Sequence, residues 1–141
     1  MLDNYKAFSA KENDNSAIAM HFPAYNKWDI VMLELGQEYD SCVTRGYRPG
    51  IVLSSDDYNK AAPIMIVIPL TKKLKGIDKT YHVFVDKEDC VGYSASGTAL
   101  VEQLRPVDRR FVNRRIGKVT DSRLRKKIVD AVKGFLIEDL P

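Results

Sequence analysis

Residues 63–71, PIMIVIPLT, decide the fold, because nearly all of their side chains are apolar and many are β-branched. Such a run predicts a buried β-strand. The run ends on Thr71, directly before two lysines. Upstream, RGYRPGIVLSSDD (45–57) sets Arg48 and a proline directly before a second strand-like run. The sequence therefore predicts two strands whose ends bring polar side chains to one place.

The chain around these two segments also reads as short strands separated by polar stretches. A long polar loop covers 36–47, a turn is predicted through DDYNKAA (56–62), and RRFVNR (109–114) suggests a short helical turn. The predicted strands are WDIVMLEL (28–35), RPGIVLSS (48–55), PIMIVIPLT (63–71), TYHVFVD (80–86), SGTALVEQLRPVD (96–108) and IGKVT (116–120).

One amphipathic helix is predicted at the C-terminus. Asp121 or Ser122 is a suitable N-cap, and the apolar residues that follow recur at helical spacing. Short strands closed by a single terminal helix favour a mainly β protein, built as a small, strongly bent antiparallel barrel.

Length and composition predict one soluble domain. The chain has 141 residues, of which 45% are hydrophobic and 29% charged, enough to bury one core without disulfides or metals. Residues 1–26 are polar and lack a steady period, so we interpret them as an N-terminal extension, disordered or loosely helical. The domain itself is predicted to span 27–141.

Several classes of protein are disfavoured by the sequence. The longest apolar stretch, 61–70, contains two prolines and is shorter than the roughly 20 residues needed to cross a bilayer. The N-terminus lacks the basic start and apolar core of a secretory signal, so we expect a cytoplasmic protein. Cys42 and Cys90 lie far apart without ligand spacing, which predicts reduced thiols and no metal site.

Positive charge is concentrated near the C-terminus. Residues 104–133 hold 11 Lys and Arg against three Asp, whereas 1–103 hold 11 Lys and Arg against 14 Asp and Glu. Such a basic segment suits a polyanion or an acidic protein partner. A solvated helix face explains the same charge equally well.

Six segments together resemble the MazF/PemK family of toxins from toxin–antitoxin systems. The chain matches the order and approximate spacing of the family's motifs over residues 27–138, nearly all of it outside the extension. The segments are WDIV, GYRPGIVLS, IVIPLT, YHVFV, LVEQLRPVD and IGKVTDSRLRKKIVDAV.

The resemblance implies an SH3-like barrel, a homodimer and a metal-independent endoribonuclease that cuts single-stranded RNA at short sequences. It also implies a MazE-like antitoxin whose acidic, flexible segment occupies the basic groove. The family's catalytic arginine, in a Gly-x-Arg-Pro motif, matches Arg48, and its strand-end threonine matches Thr71. The candidate RNA-binding residues are Glu102, Gln103, Arg105, Lys72, Lys73 and His82.

The chemistry of RNA cleavage without a metal fits an arginine and a hydroxyl. The 2′-OH attacks the adjacent phosphate, leaving a 2′,3′-cyclic phosphate and a free 5′-OH, and negative charge gathers on the non-bridging oxygens. The planar guanidinium of Arg48 can bind two such oxygens at once. Thr71 can donate its hydroxyl to the same phosphate or hold the 2′-OH.

The general base is not fixed by the sequence. Family members often carry a Glu five residues before the arginine, and Val43 stands there in this chain. Glu38 and Asp40, earlier in the same loop, are the candidate substitutes. Arginine itself is a poor proton shuttle, since its pKa lies above about 12.

Two other functions remain open, and each site residue has a plainer interpretation. The chain is either a nuclease, a gyrase-binding toxin of the same fold, or a family member that binds RNA or antitoxin with weakened catalysis. An arginine before a proline is most often a surface ion-pair partner. His82 either faces solvent or lines the RNA groove, and the lysines after Thr71 either solubilise a loop or contact phosphate.

Overall fold

A long, curled antiparallel sheet dominates the computed structural model, which describes Ile18 and residues 21–37, 42–72 and 81–138. Three short 3₁₀ turns cover Lys87–Asp89, Val101–Gln103 and Arg109–Phe111. Two helices lie entirely within the described ranges, α1 (Asp56–Ala61) and α2 (Ser122–Leu136). The strands are β1 (Asp29–Glu34), β2 (Tyr47–Val52), β3 (Ile64–Thr71), β4 (His82–Val85), β5 (Cys90–Val91), β6 (Gly97–Leu100), β7 (Arg105–Asp108) and β8 (Val112–Val119).

Strand β3 organises the sheet, whose strand order is β4-β6-β3-β2-β1-β8-β5, with β7 as an additional neighbour of β3. The first half of β3 pairs with β7, from Ile64 opposite Asp108 to Val67 opposite Arg105. Its last residue, Thr71, pairs with Thr98 of β6. Because one strand changes partners along its length, the sheet curls. The predicted fold, a bent antiparallel sheet with a C-terminal helix, is confirmed.

Both faces of the central sheet are buried, which explains the unbroken apolar run of β3. Met65 and Val67 point into one core, whereas Ile68 and Leu70 point into the other. Leu124, Ile128 and Ala131 of α2 cover the second of these cores. A fully buried aliphatic side chain contributes about 1.5–3 kcal/mol, so both cores hold the sheet in its curled form.

The part of the N-terminal extension that the structure describes packs against the sheet. Ile18 is buried, and its carbonyl accepts from the Phe22 N–H at 3.1 Å. The buried guanidinium of Arg109 donates to the carbonyls of Phe22 at 2.5 Å, Pro23 at 3.2 Å and Ala62 at 3.0 Å. Where the domain begins stays a prediction, and residues 1–17, 19 and 20 lie outside the described residues.

Three predictions of secondary structure were wrong in whole or in part. RRFVNR is helical only over the 3₁₀ turn Arg109–Phe111, because β8 begins at Val112. DDYNKAA forms helix α1 rather than a turn, because Ser55 caps it and accepts from the Tyr58 N–H at 3.4 Å. The single strand predicted at 96–108 is broken by the 3₁₀ turn Val101–Gln103, which moves the chain from the end of β3 to its beginning. The short strand β5 was not predicted.

The C-terminal helix begins where the sequence places it. The Asp121 carboxylate accepts from the N–H groups of Arg123 at 2.8 Å and Leu124 at 2.9 Å. Within the described ranges, no helix is both long enough and apolar enough to span a membrane.

Candidate active site

Arg48 lies near the start of β2, opposite Leu33 of β1, and is half-buried. Its Nε–H donates to the carbonyl of Arg45 at 2.5 Å. Within the described part of the chain, its two terminal nitrogens hold no hydrogen bond and no ion pair, so they can bind an anion. The hydrogen bond from Nε fixes the direction in which the guanidinium points.

Thr71 ends β3 and is 6% exposed. It pairs with Thr98 of β6, which is also buried. A Cβ at Gly97 would lie 2.6 Å from the Thr71 carbonyl oxygen, so glycine alone allows β6 to approach this closely. Lys72, which follows, is exposed.

The register of β2 and β3 places both candidate catalytic residues at the same end of the strand pair. The paired residues run from Val52 opposite Val67 to Gly50 opposite Pro69. Arg48 lies two residues beyond Gly50, and Thr71 lies two residues beyond Pro69. Residues two apart on a strand share a face. Direct contact of the two side chains with one phosphate stays a prediction.

The second half of the β1–β2 loop is held by two side chains that lie 59 and 61 residues from Thr44 in the sequence. The Thr44 N–H donates to Gln103 Oε1 at 3.0 Å, and the Thr44 carbonyl accepts from Arg105 at 2.8 Å. Gln103 Nε2 donates to the Cys42 carbonyl at 3.4 Å. We call residues 42–46 the clamped loop. Two of the predicted RNA-binding residues are therefore engaged with this loop.

Two glycines with positive φ let the clamped loop rejoin the sheet. Gly36 has φ +93° and Gly46 has φ +89°, values that favour glycine. The Gly46 N–H donates to the Gly36 carbonyl at 2.8 Å, and the Leu35 N–H donates to the Gly46 carbonyl at 2.9 Å. The β1–β2 loop thus leaves the sheet and returns to it at one point, two residues before Arg48.

Three arginines lie at the clamped loop: Arg45 belongs to it, and Arg48 and Arg105 donate hydrogen bonds to its carbonyls. Burial lowers the pKa of Arg105, and the nearby charge of Arg45 lowers it further. Like charges this close together favour an anion that neutralises them. Sequence reasoning missed Arg45, although it stands inside the motif around Arg48; its charge is the signal that could have identified it.

His82 and Glu102 form a separate pair. His82 Nε2 lies 2.9 Å from Glu102 Oε1, and their side chains are 12% and 31% exposed. His82 borders a cleft between β4 and α2, where Leu124 and Lys127 also lie. The structure thus divides the predicted RNA-binding residues into one group at the clamped loop and one pair near α2. Direct contact of either group with RNA stays a prediction.

A groove of about 680 Å³ runs past Arg105, between β7 and the end of β1. Its walls combine apolar side chains with carboxylates and one amide, a mixture suited to an unpaired base. The lining residues are Glu34, Leu35, Gly36, Gln37, Arg105, Pro106, Val107, Asp108 and Phe111.

Three predicted site residues, Glu38, Asp40 and Lys73, lie outside the described residues. Among the residues that are described, no group of three or more His, Cys, Asp and Glu side chains could hold a metal ion. Cys42 and Cys90 are free thiols. Burial raises the pKa of the Cys90 thiol to about 11, so this thiol stays protonated at neutral pH.

Comparison with known proteins identifies similar sequences and folds. Residues 26–136 match the family described as PemK-like, MazF-like toxin of type II toxin–antitoxin system. No curated protein sequence is similar enough to count as a match.

Solved structures share the fold at low sequence identity. A crystal structure of MazF from Deinococcus radiodurans aligns with TM-score 0.69 and 20% identity, covering 81% of this chain and 97% of that chain. An endoribonuclease from a mycobacterial species aligns with TM-score 0.65 and 14% identity, covering 86% and 99%. A mycobacterial endoribonuclease in complex with its cognate antitoxin aligns with TM-score 0.60 and 17% identity, covering 84% and 98%.

Proposed function

Because this chain belongs to the PemK-like, MazF-like family of toxins from type II toxin–antitoxin systems, we propose that it is a metal-independent endoribonuclease acting on single-stranded RNA in the cytoplasm. The observation that carries the proposal is the placement of Arg48. Its guanidinium is held by one bond to the Arg45 carbonyl, and its terminal nitrogens face no partner in the described chain. Thr71 lies at the same end of the β2–β3 pair.

In the proposed reaction, the 2′-OH of the RNA attacks the adjacent phosphorus as the bond to the 5′-oxygen breaks. A carboxylate accepts the 2′-OH proton and the departing 5′-oxygen takes a proton from water, so the products are a 2′,3′-cyclic phosphate and a free 5′-OH. Arg48 binds the non-bridging oxygens, where charge develops, and the Thr71 hydroxyl donates to the same phosphate. Donors fixed before the reaction stabilise the transition state most, and one such donor contributes about 3–4 kcal/mol.

Proton transfer is assigned to a carboxylate rather than to Arg48, because an arginine is a poor proton shuttle. Val43, at the position where the family often has Glu, is exposed in the clamped loop. The proposed base is therefore Glu38 or Asp40, which precede the clamped loop in sequence. The exposed Val43 also supports the second candidate function, a family member that binds RNA or antitoxin but cleaves slowly.

The proposed substrate path joins the groove beside Arg105 to other predicted RNA-binding residues. Lys72 and the pair of His82 and Glu102 are candidate contacts along the RNA, and the groove beside Arg105 can take an unpaired base, with Phe111 as a stacking surface. The same positive charge suits the acidic segment of a MazE-like antitoxin, which would block the RNA site.

A homodimer is also proposed. At the end of α2, Leu136 and Ile137 are 56% and 73% exposed, and the rings of Phe135 and Tyr81 meet edge to face at 5.0 Å. We call these four residues the apolar end patch. Large apolar side chains gathered on one surface favour association with another protein surface. The proposed partner is a second copy of the chain, because the resemblance to the family implies a homodimer.

The decisive experiment incubates purified protein with a long single-stranded RNA in EDTA. We expect cuts that leave 2′,3′-cyclic phosphate and 5′-OH ends, and a rate about 10²–10³-fold lower for Arg48→Ala. Arg114→Ala, which removes an exposed arginine of β8, is the matched control and should cleave normally.

Intact RNA with the unmodified protein would exclude the nuclease. Stalled DNA gyrase in a parallel assay would then identify a gyrase-binding toxin, and retained RNA or antitoxin binding would identify the slow or inactive family member.

A further inference from the structure

Arg48 is connected to two distant residues through the backbone of the clamped loop. Gln103 and Arg105 together bind both the N–H and the carbonyl of Thr44, at 3.0 and 2.8 Å. The next carbonyl along the chain, that of Arg45, accepts the Nε–H of Arg48 at 2.5 Å. The two anchored carbonyls belong to neighbouring peptide units. The direction of the Arg48 guanidinium therefore depends on where Gln103 and Arg105 hold the loop.

We propose that Gln103 and Arg105 are positioning residues, which aim Arg48 at the phosphate by fixing the clamped loop. This inference rests on the proposed nuclease function and gives these two residues a role other than contact with RNA. Gln103 suits the role because its amide offers one acceptor and two donors. It uses the acceptor on Thr44 and a donor on Cys42, so it recognises the loop at two points.

Arg105 suits the role for a second reason. Its guanidinium is half-buried and next to the charge of Arg45, and the pKa of Arg105 is lowered as a result. The hydrogen bond to the Thr44 carbonyl gives this desolvated cation a fixed acceptor. Because the loop is braced on both sides of Thr44, it resists the displacement that a charged substrate would cause.

Kinetics can separate positioning from direct contact. A displacement of about 1 Å in a catalytic group can reduce the rate about 10²-fold. We expect Gln103→Leu, which removes both loop contacts, to lower kcat by about 10–100-fold and to change KM by less than about threefold. Asn113→Leu, at an exposed amide of β8, is the matched control and should leave both constants unchanged.

A charged substitution at residue 103 changes the cleavage rate in opposite directions for the two roles. Gln103→Glu keeps an acceptor for the Thr44 N–H, so positioning predicts that it cleaves faster than Gln103→Leu. Direct contact of Gln103 with RNA predicts that Gln103→Glu cleaves more slowly than Gln103→Leu, because a carboxylate repels phosphate. A slower Gln103→Glu variant with raised KM would therefore overturn the inference.

A double-mutant cycle tests whether Gln103 acts through Arg48. In the Arg48→Lys background, which lacks Nε, we expect Gln103→Leu to reduce kcat by no more than about twofold further. An equal loss in both backgrounds would show that Gln103 acts independently of Arg48, and the inference would fail.

The free protein supplies a readout that does not require cleavage. Hydrogen exchange of the Arg48 Nε–H and the Thr44 N–H, followed by NMR without RNA, should accelerate at least about tenfold in Gln103→Leu. Unchanged exchange of the Arg48 Nε–H would overturn the inference even in an active enzyme. Accelerated exchange in a protein that cuts no RNA would instead support the linkage between Gln103 and Arg48 and would exclude the nuclease function.

Discussion

Trp28 adopts a backbone conformation that non-glycine residues rarely hold. Its φ is +76°, and it lies directly before β1 rather than within a strand. Its N–H donates to Val52 at 2.7 Å, and its carbonyl accepts from Val119 at 2.9 Å. The guanidinium of Arg125 lies 5.3 Å from the centre of the ring. These contacts offset a backbone strain of about 1–3 kcal/mol.

Replacing Trp28 with glycine changes two opposing terms. Glycine relieves the strain, but the core loses a large aromatic side chain, whose removal costs about 3–5 kcal/mol. We therefore expect Trp28→Gly to lower the free energy of unfolding by about 2 kcal/mol in urea denaturation. Trp28→Phe keeps the strain and part of the packing, and serves as the comparison. A glycine variant as stable as the unmodified protein would show that packing of the ring only balances the backbone strain at residue 28.

At the scale of elements, helix α2 depends on its cap. The carboxylate of Asp121 satisfies two N–H groups that would otherwise lack a partner at the start of the helix. This helix covers one of the two cores, so fraying at its first turn exposes Leu124 to water.

We expect Asp121→Ala to lower the free energy of unfolding by about 1 kcal/mol, measured by chemical denaturation. Asp121→Asn retains an acceptor and should restore most of the loss. Asp130→Ala removes an exposed carboxylate from the same helix and breaks only a surface pair with Lys126, so a change of about 0.5 kcal/mol or less is expected. Equal losses from the Ala substitutions at 121 and 130 would contradict the capping role.

Elements with a strong local pattern could be predicted from the sequence. The apolar run of β3 and the helical spacing of α2 specify their structure without knowledge of any neighbour. The break between β6 and β7 could not be predicted, because SGTALVEQLRPVD reads as one strand until β3 offers each half a different partner. Helix α1 was missed because Ser55 was assigned to the preceding strand instead of to a cap.

The candidate site followed the same division. Arg48 and Thr71 stand out as polar residues at strand ends, and the resemblance to the MazF/PemK family gives them a catalytic role, which stays a prediction. The hold of Gln103 on Thr44 joins residues 59 apart in sequence, and no local pattern encodes it.

At the scale of the whole molecule, two cores lie on the two faces of one curled sheet, and the apolar end patch borders one of them through Tyr81. Phe135, Leu136 and Ile137 are exposed although they end the helix that covers a core, and Tyr81 is half-buried beside them. Burying them against a second copy would remove this apolar area from water, at about 25 cal/mol per Å².

We expect Leu136→Glu to shift the protein from dimer to monomer in light scattering coupled to size-exclusion chromatography. A carboxylate in an apolar interface has no partner and must be desolvated. Tyr58→Glu places the same charge on an exposed aromatic residue of α1 and should leave the dimer intact. A monomeric unmodified protein, or an unchanged dimer in Leu136→Glu, would assign the patch to another use.

The buried guanidinium of Arg109 governs where the gene can be shortened. A product starting at Lys27, the first residue of the predicted domain, would delete two of the three carbonyls that solvate this cation and keep only Ala62. The guanidinium would lose two charge-assisted hydrogen bonds, each of which contributes about 1.5–3 kcal/mol. Affinity tags should therefore be fused ahead of Ile18, so that Phe22 and Pro23 stay in place as acceptors for Arg109.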